Sequence, residues 1–154
     1  MMLIWGPFVV YLDLTQKVVI AAIAKVPLGN YDEIMLQVHK PSPNENIPDP
    51  EFNEGPSNHQ RFSVIVRGLY NNIPFVYRSS ITAARGIEFE NPPVTAVADA
   101  VVNITISLNP YSWFITNSEI LDPTNPDNEN IIDHRIKDSF KRAFKDMDLN
   151  GEPD

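Results

Sequence analysis

Arg61-Phe62-Ser63-Val64-Ile65-Val66-Arg67-Gly68-Leu69-Tyr70-Asn71-Asn72-Ile73-Pro74-Phe75-Val76-Tyr77-Arg78 decides the fold class. Phe62, Val64 and Val66 alternate with Ser63, Ile65 and Arg67, the period of a strand with one face turned inward. Asn71-Asn72 separates this run from a second one rich in aromatic and β-branched residues. Asparagine tolerates positive φ, so the spacing predicts a tight hairpin at that pair. Pro74 donates nothing to a ladder and pushes its strand towards an edge or a bulge.

The surrounding sequence extends the β pattern. Tyr31 to Lys40 alternates Ile34, Leu36 and Val38 against Glu33, Met35, Gln37 and His39. Phe8 to Leu14 is β-branched and aromatic, which favours a strand. Lys17 to Val26 is a short apolar run that fits a strand or a buried helical turn. The turn residues on either side of it favour the strand. Arg85-Gly86 reads as a turn ahead of a short strand, Ile87 to Glu90. Val94 to Leu108 is the longest β-like run, with Val102, Ile104, Ile106 and Leu108 on one face. The aromatic stretch Tyr111 to Thr116 reads as a strand end or an aromatic plug. Five prolines between Pro41 and Gln60 make that segment a long irregular loop.

The final segment changes period. Ile132, Ile136, Phe140 and Phe144 fall four residues apart, Ala143 and Met147 fill the same face, and Asn130 is a plausible cap. The spacing predicts an amphipathic helix of about four turns from Ile131 to Lys145. The expected architecture is mainly β: one antiparallel β-sandwich domain over residues 1–154, with the Pro-rich loop at 41–60 and a C-terminal helix plus acidic loop at 130–154.

The chain has 154 residues, enough for one domain with a core of its own, and no cysteine, which removes disulfides and thiolate metal sites. A net charge of −8 argues against nucleic-acid or anionic-membrane binding and suits solubility or a cation partner. The apolar start, Met1 to Val10, has no basic region and is broken by Gly6-Pro7, so it reads as neither signal peptide nor membrane span.

Asp146-Met147-Asp148-Leu149-Asn150-Gly151-Glu152-Pro153-Asp154 carries oxygen-bearing side chains at alternate positions followed by a glycine. This resembles the first part of an EF-hand calcium loop: Asp146, Asp148 and Asn150 at positions one, three and five, Gly151 at the sharp turn, Glu152 at seven and Asp154 at nine. The bidentate glutamate of position twelve is missing, which leaves an affinity of about the millimolar class or a ligand borrowed from Asp122, Asp127 or Glu129. The plainer reading is a solvated acidic terminus.

Tyr70, Tyr77, Tyr111 and Trp113 are candidates for a platform that takes carbohydrate or a partner protein, although such spacing is also that of core packing. Glu88 and Glu90 share a strand face, as a glycosidase carboxylate pair would, and equally as any exposed polar face would. His39, His59 and His134 fit no metal spacing and read as solvated.

Gly6-Pro7-Phe8-Val9-Val10, then Val26-Pro27-Leu28-Gly29-Asn30-Tyr31-Asp32-Glu33-Ile34, then Trp113-Phe114 and Leu121-Asp122-Pro123 ahead of a helix and an acidic tail together resemble uncharacterised bacterial exported or lipoprotein-type β-sandwich domains, known as domains of unknown function. The resemblance implies a periplasmic or cell-surface location and no known activity. Such domains bring a signal peptide and earlier strands, so it also implies a truncated member. Three functions follow as expectations: a non-enzymatic binding or adhesion module stabilised by calcium, a small glycan hydrolase using paired carboxylates, or a structural component of a surface assembly pairing through an edge strand.

Overall fold

The computed structural model describes residues 6, 8–53 and 61–154. The chain is mainly β, with one α-helix among the described residues. In chain order the strands are β1 (Gly29–Tyr31), β2 (Glu33–Val38), β3 (Val64–Tyr70), β4 (Ile73–Ser79), β5 (Ala83–Glu90), β6 (Val94–Ala96), β7 (Ile104–Ile106), β8 (Ile115–Thr116) and β9 (Glu119–Ile120). Helix α1 (Glu129–Asp138) and strand β10 (Ala143–Lys145) follow. Contacts divide the chain into two compact units: residues 1–35, 86–107 and 141–154 form the first, and 36–85 and 108–140 the second. The division falls inside β2 and β5.

In the first unit, β10 lies between β5 and β7 in a sheet of order β2-β5-β10-β7. It pairs parallel to β5, with Ala143 opposite Phe89, and antiparallel to β7, with Ala143 opposite Ile106. Ile87, Phe89, Val94, Ala143 and Phe144 form its core. Beside this sheet, β1 and β6 pair antiparallel. Gly86 sits inside β5, where an added Cβ would come within 3.1 Å of Met35 Sδ. The turn read at Arg85-Gly86 does not form, and the Met35 and Glu33 atoms that approach this glycine are the ends of flexible side chains.

In the second unit the hairpin forms as its asparagines predict. Val64 to Tyr70 pairs antiparallel with Ile73 to Ser79, and Asn71 and Asn72 take φ of 50° and 61°. A smaller hairpin, β8–β9, uses Asn117 and Ser118 in the same way at φ 47° and 66°. Trp113 is buried in a 3-10 turn, Pro110–Phe114, which runs into β8 at Ile115, so the stretch read as a strand end or a plug contributes one buried aromatic and a short strand. Ile132 and Ile136 of α1 are fully buried, alongside Phe62, Ile81, Leu121 and Phe140.

Three expectations are corrected. The helix stops at Asp138, where the amide and hydroxyl of Ser139 both bond to Ile136 O, at 3.2 and 2.7 Å. Beyond it, Ala143 to Lys145 is a strand, because pairing on both sides satisfies its backbone. The N-cap position of α1 is Asn128, whose side chain makes no capping bond and instead donates from Nδ2 to Asp122 O at 3.1 Å; Asn130 lies within the helix. Phe8 to Leu14 and Lys17 to Val26 form no strand. Asp13 turns the chain instead, accepting from Thr15 N at 2.9 Å and Thr15 Oγ1 at 2.7 Å. Their apolar composition favours strands but gives them no ladder to join, and Phe8, Tyr11, Ile20 and Ile23 stand exposed. The run Val94 to Leu108 is split between β6 and β7 by a turn in which Asp99 has φ 58°.

Candidate metal centre

The acidic loop grows directly out of β10. Asp146 N donates to Asn103 O at 3.0 Å, continuing the pairing with β7 by one residue. The loop is thus preceded by a strand, where the sequence reading placed a helix. Alternation along the strand aims the Asp146 side chain inward, where it is fully buried. Thr105 Oγ1 donates to Asp146 Oδ2 at 2.9 Å. The amides of Asn150 and Gly151 donate to Asp146 Oδ1 and Oδ2, each at 3.0 Å.

Two left-handed residues, Leu149 at φ 56° and Gly151 at φ 84°, wrap the chain around that carboxylate. A Cβ at Gly151 would meet only ordinary contacts with Lys17 and Val18, the nearest at 3.5 Å. Its backbone conformation, and not crowding, is therefore what favours glycine.

The remaining side chains brace the loop. Asn150 Nδ2 donates to Asp148 Oδ2 at 2.9 Å, and Glu152 N donates to Asn150 Oδ1 at 2.7 Å. Asp154 Oδ2 accepts from Met147 N at 2.7 Å, while Asp154 N donates to Lys145 O at 3.1 Å. Carboxylate oxygens of Asp146, Asp148 and Asp154 consequently lie within 4.8 Å of one another. Three hard oxygen donors at that spacing could hold a metal ion. Asn150, read as a further side-chain ligand, braces the loop through Asp148 Oδ2 and Glu152 N, and the ligand read at Glu152 is its backbone carbonyl. Asp122 accepts from Thr124 N and Oγ1 at 2.8 and 2.7 Å, which organises its own turn.

Burial pushes the Asp146 carboxyl up, but the bonds from Thr105, Gly151 and Asn150 outweigh it and hold the group below the ordinary carboxylate value. The folded chain therefore binds this proton less readily than the unfolded chain does. The stabilisation is complete above the ordinary carboxylate range and is lost as pH falls through the lowered value, below about pH 4. An NMR titration of the Asp146 carboxyl carbon should give a midpoint below that of an aspartate in an unstructured peptide. A midpoint at or above the peptide value would contradict the hydrogen bonding described.

The aromatic candidates separate. Period two on β4 puts Tyr77 on the inward face, where it is buried, and its hydroxyl donates to Asp133 Oδ1 at 2.7 Å. Trp113 is buried as well, Tyr70 is half-buried and Tyr111 is exposed. No platform of all four exists, since two belong to the core. Glu88 is exposed, whereas Glu90 accepts from Arg142 Nε at 2.6 Å. His134 is exposed and faces Asp138 at 3.1 Å, His39 is half-buried, and His59 lies outside the described residues.

Sequence reasoning missed the polar link in the second unit. Asp133 Oδ1 also accepts from Ser79 Oγ at 2.7 Å. Serine and tyrosine on the buried face of one strand were the available signal.

No family model, curated protein or solved structure matches the chain. Among the described residues no helix is long and apolar enough to cross a membrane.

Proposed function

We propose that this chain is a non-enzymatic, extracytoplasmic binding or adhesion module whose C-terminal loop is fastened by calcium. The observation that carries the reading is the convergence of the Asp146, Asp148 and Asp154 carboxylates within 4.8 Å. Calcium suits them better than magnesium because it accepts irregular oxygen shells, whereas magnesium demands a near-ideal octahedron. A site with few protein carboxylates has affinity of about the millimolar class, which fits calcium levels outside cells. The resemblance to exported β-sandwich domains supports the same location. Support for binding comes from the β3–β4 hairpin, where Ile73, opposite Tyr70 at the turn, and Leu69, on the other face, are each 68% exposed. An apolar hairpin tip of that kind suits a protein ligand or pairing along a strand edge. The hydrolase alternative has less support, since Arg142 occupies Glu90.

The test is thermal unfolding with calcium and with chelator. For a millimolar site, calcium at about ten times the dissociation constant contributes about 1.4 kcal/mol, raising the midpoint by about 3–6 °C. Asp148→Ala should abolish the rise, and magnesium should give less. An unchanged midpoint at such calcium concentrations would remove the metal from the reading.

A further inference from the structure

Asn150-Gly151 is the single Asn-Gly pair in the sequence. This dipeptide is chemically labile, because a following glycine leaves the backbone amide open to attack the asparagine side chain. The structure places the pair in the C-terminal loop, with Asn150 exposed and Gly151 half-buried. Every group the reaction needs is occupied. The attacking amide, Gly151 N, donates to Asp146 Oδ2 at 3.0 Å. A carboxylate against that N–H opposes the loss of its proton, which the attack requires. On the side chain, Asn150 Oδ1 accepts from Glu152 N at 2.7 Å and Nδ2 donates to Asp148 Oδ2 at 2.9 Å, so its amide is held at both ends.

We propose that Asn150 is a deamidation site kept closed by these loop hydrogen bonds, so that opening of the loop leaves a permanent chemical mark. In the open loop, Gly151 N bonds to Asn150 Cγ and loses its proton, and the side-chain nitrogen departs as ammonia, giving a five-membered succinimide. Water then opens the ring at either carbonyl. Attack at Cγ returns an ordinary aspartate, and attack at the backbone carbonyl carbon gives an isoaspartate with the chain running through Cβ and Cγ. The balance is one water in and one ammonia out, with no oxidant or reductant.

Either product lacks the Nδ2 donor that braces Asp148 and sets a new carboxylate against it. Isoaspartate also lengthens the backbone by one carbon, which misplaces the Glu152 amide. The mark therefore weakens the closure that prevented it. None of this rests on calcium.

The test follows the C-terminal tryptic peptide, residues 146–154, which contains Asn150 as its single asparagine. The full-length protein is incubated at mildly alkaline pH, without added metal, either folded or in urea, and the amide-to-acid mass change is measured. Deamidation should be about tenfold or more slower in the folded chain, as expected of a reaction that proceeds through local opening. Asp154→Ala deletes the acceptor of Met147 N and leaves the reacting atoms untouched. It should speed the folded-state reaction several-fold without changing the rate in urea. Isoaspartate should accompany aspartate. Equal rates folded and in urea, no effect of Asp154→Ala, or aspartate as sole product would each overturn the proposal.

Discussion

Phe144→Ala is expected to destabilise the protein by about 3–5 kcal/mol, lowering the unfolding midpoint by about 6–20 °C. Phe144 is fully buried on β10, opposite Glu90 of β5 on one side and Thr105 of β7 on the other. The Arg142 guanidinium lies over its ring, 4.9 Å from the centroid. Truncation leaves a cavity at the centre of the sheet, where paired strands on both sides prevent collapse. The adjacent Lys145 is exposed, and Lys145→Ala should stay within about 0.5 kcal/mol of the parent. Calorimetry of both variants separates burial from strand position. A Phe144→Ala cost no greater than that of Lys145→Ala would remove β10 from the core. Loss of the phenyl group should also loosen Asp146, two residues on.

Asp133→Ala is expected to cost about 1–3 kcal/mol, by cutting the polar link between α1 and β4. Ser79 is 2% exposed, and Asp133 Oδ1 is the acceptor for its hydroxyl at 2.7 Å. Tyr77 keeps a second acceptor, Glu129 O at 3.1 Å, so Ser79 carries most of the penalty. Burial pushes the Tyr77 phenol far above its ordinary value, and the Asp133 carboxylate adds to the shift, so the ring keeps its proton and donates. A double-mutant cycle with Ser79→Ala decides the cause. Removing both partners should recover part of the loss, with a coupling of about 0.5–3 kcal/mol. Strict additivity would mean that the two side chains do not depend on each other.

What could be read from the sequence was what is encoded locally. Asn71-Asn72 fixes its hairpin because both residues adopt positive φ, and the alternation of Ile34, Leu36 and Val38 fixes β2. Ile132 and Ile136 announce a helix by spacing alone. Phe140 and Phe144 continue that spacing, yet the partners of Phe144 are β5 and β7, distant in sequence, and their unpaired edges outweigh helix periodicity. The same lack of long-range information favoured strands at Phe8 to Leu14 and Lys17 to Val26, since composition says nothing of whether an edge is free. In the loop, alternate oxygens and a glycine were visible directly. The dual place of Asp154, inside the carboxylate group and bonded to Met147 N, depends on three-dimensional closure.

The position of β10 also bears on the order in which the molecule can assemble. During synthesis β5 and β7 leave the ribosome well before Ala143 to Lys145, the strand that separates them in the sheet. Until that strand arrives, both present unpaired inner edges, and the first unit, built from three separated stretches of chain, cannot close. The second unit has its hairpin and helix complete by Phe140 and can settle first. Sheet closure is then the late, non-local step, the kind that slows folding most and leaves the nascent chain most open to mispairing.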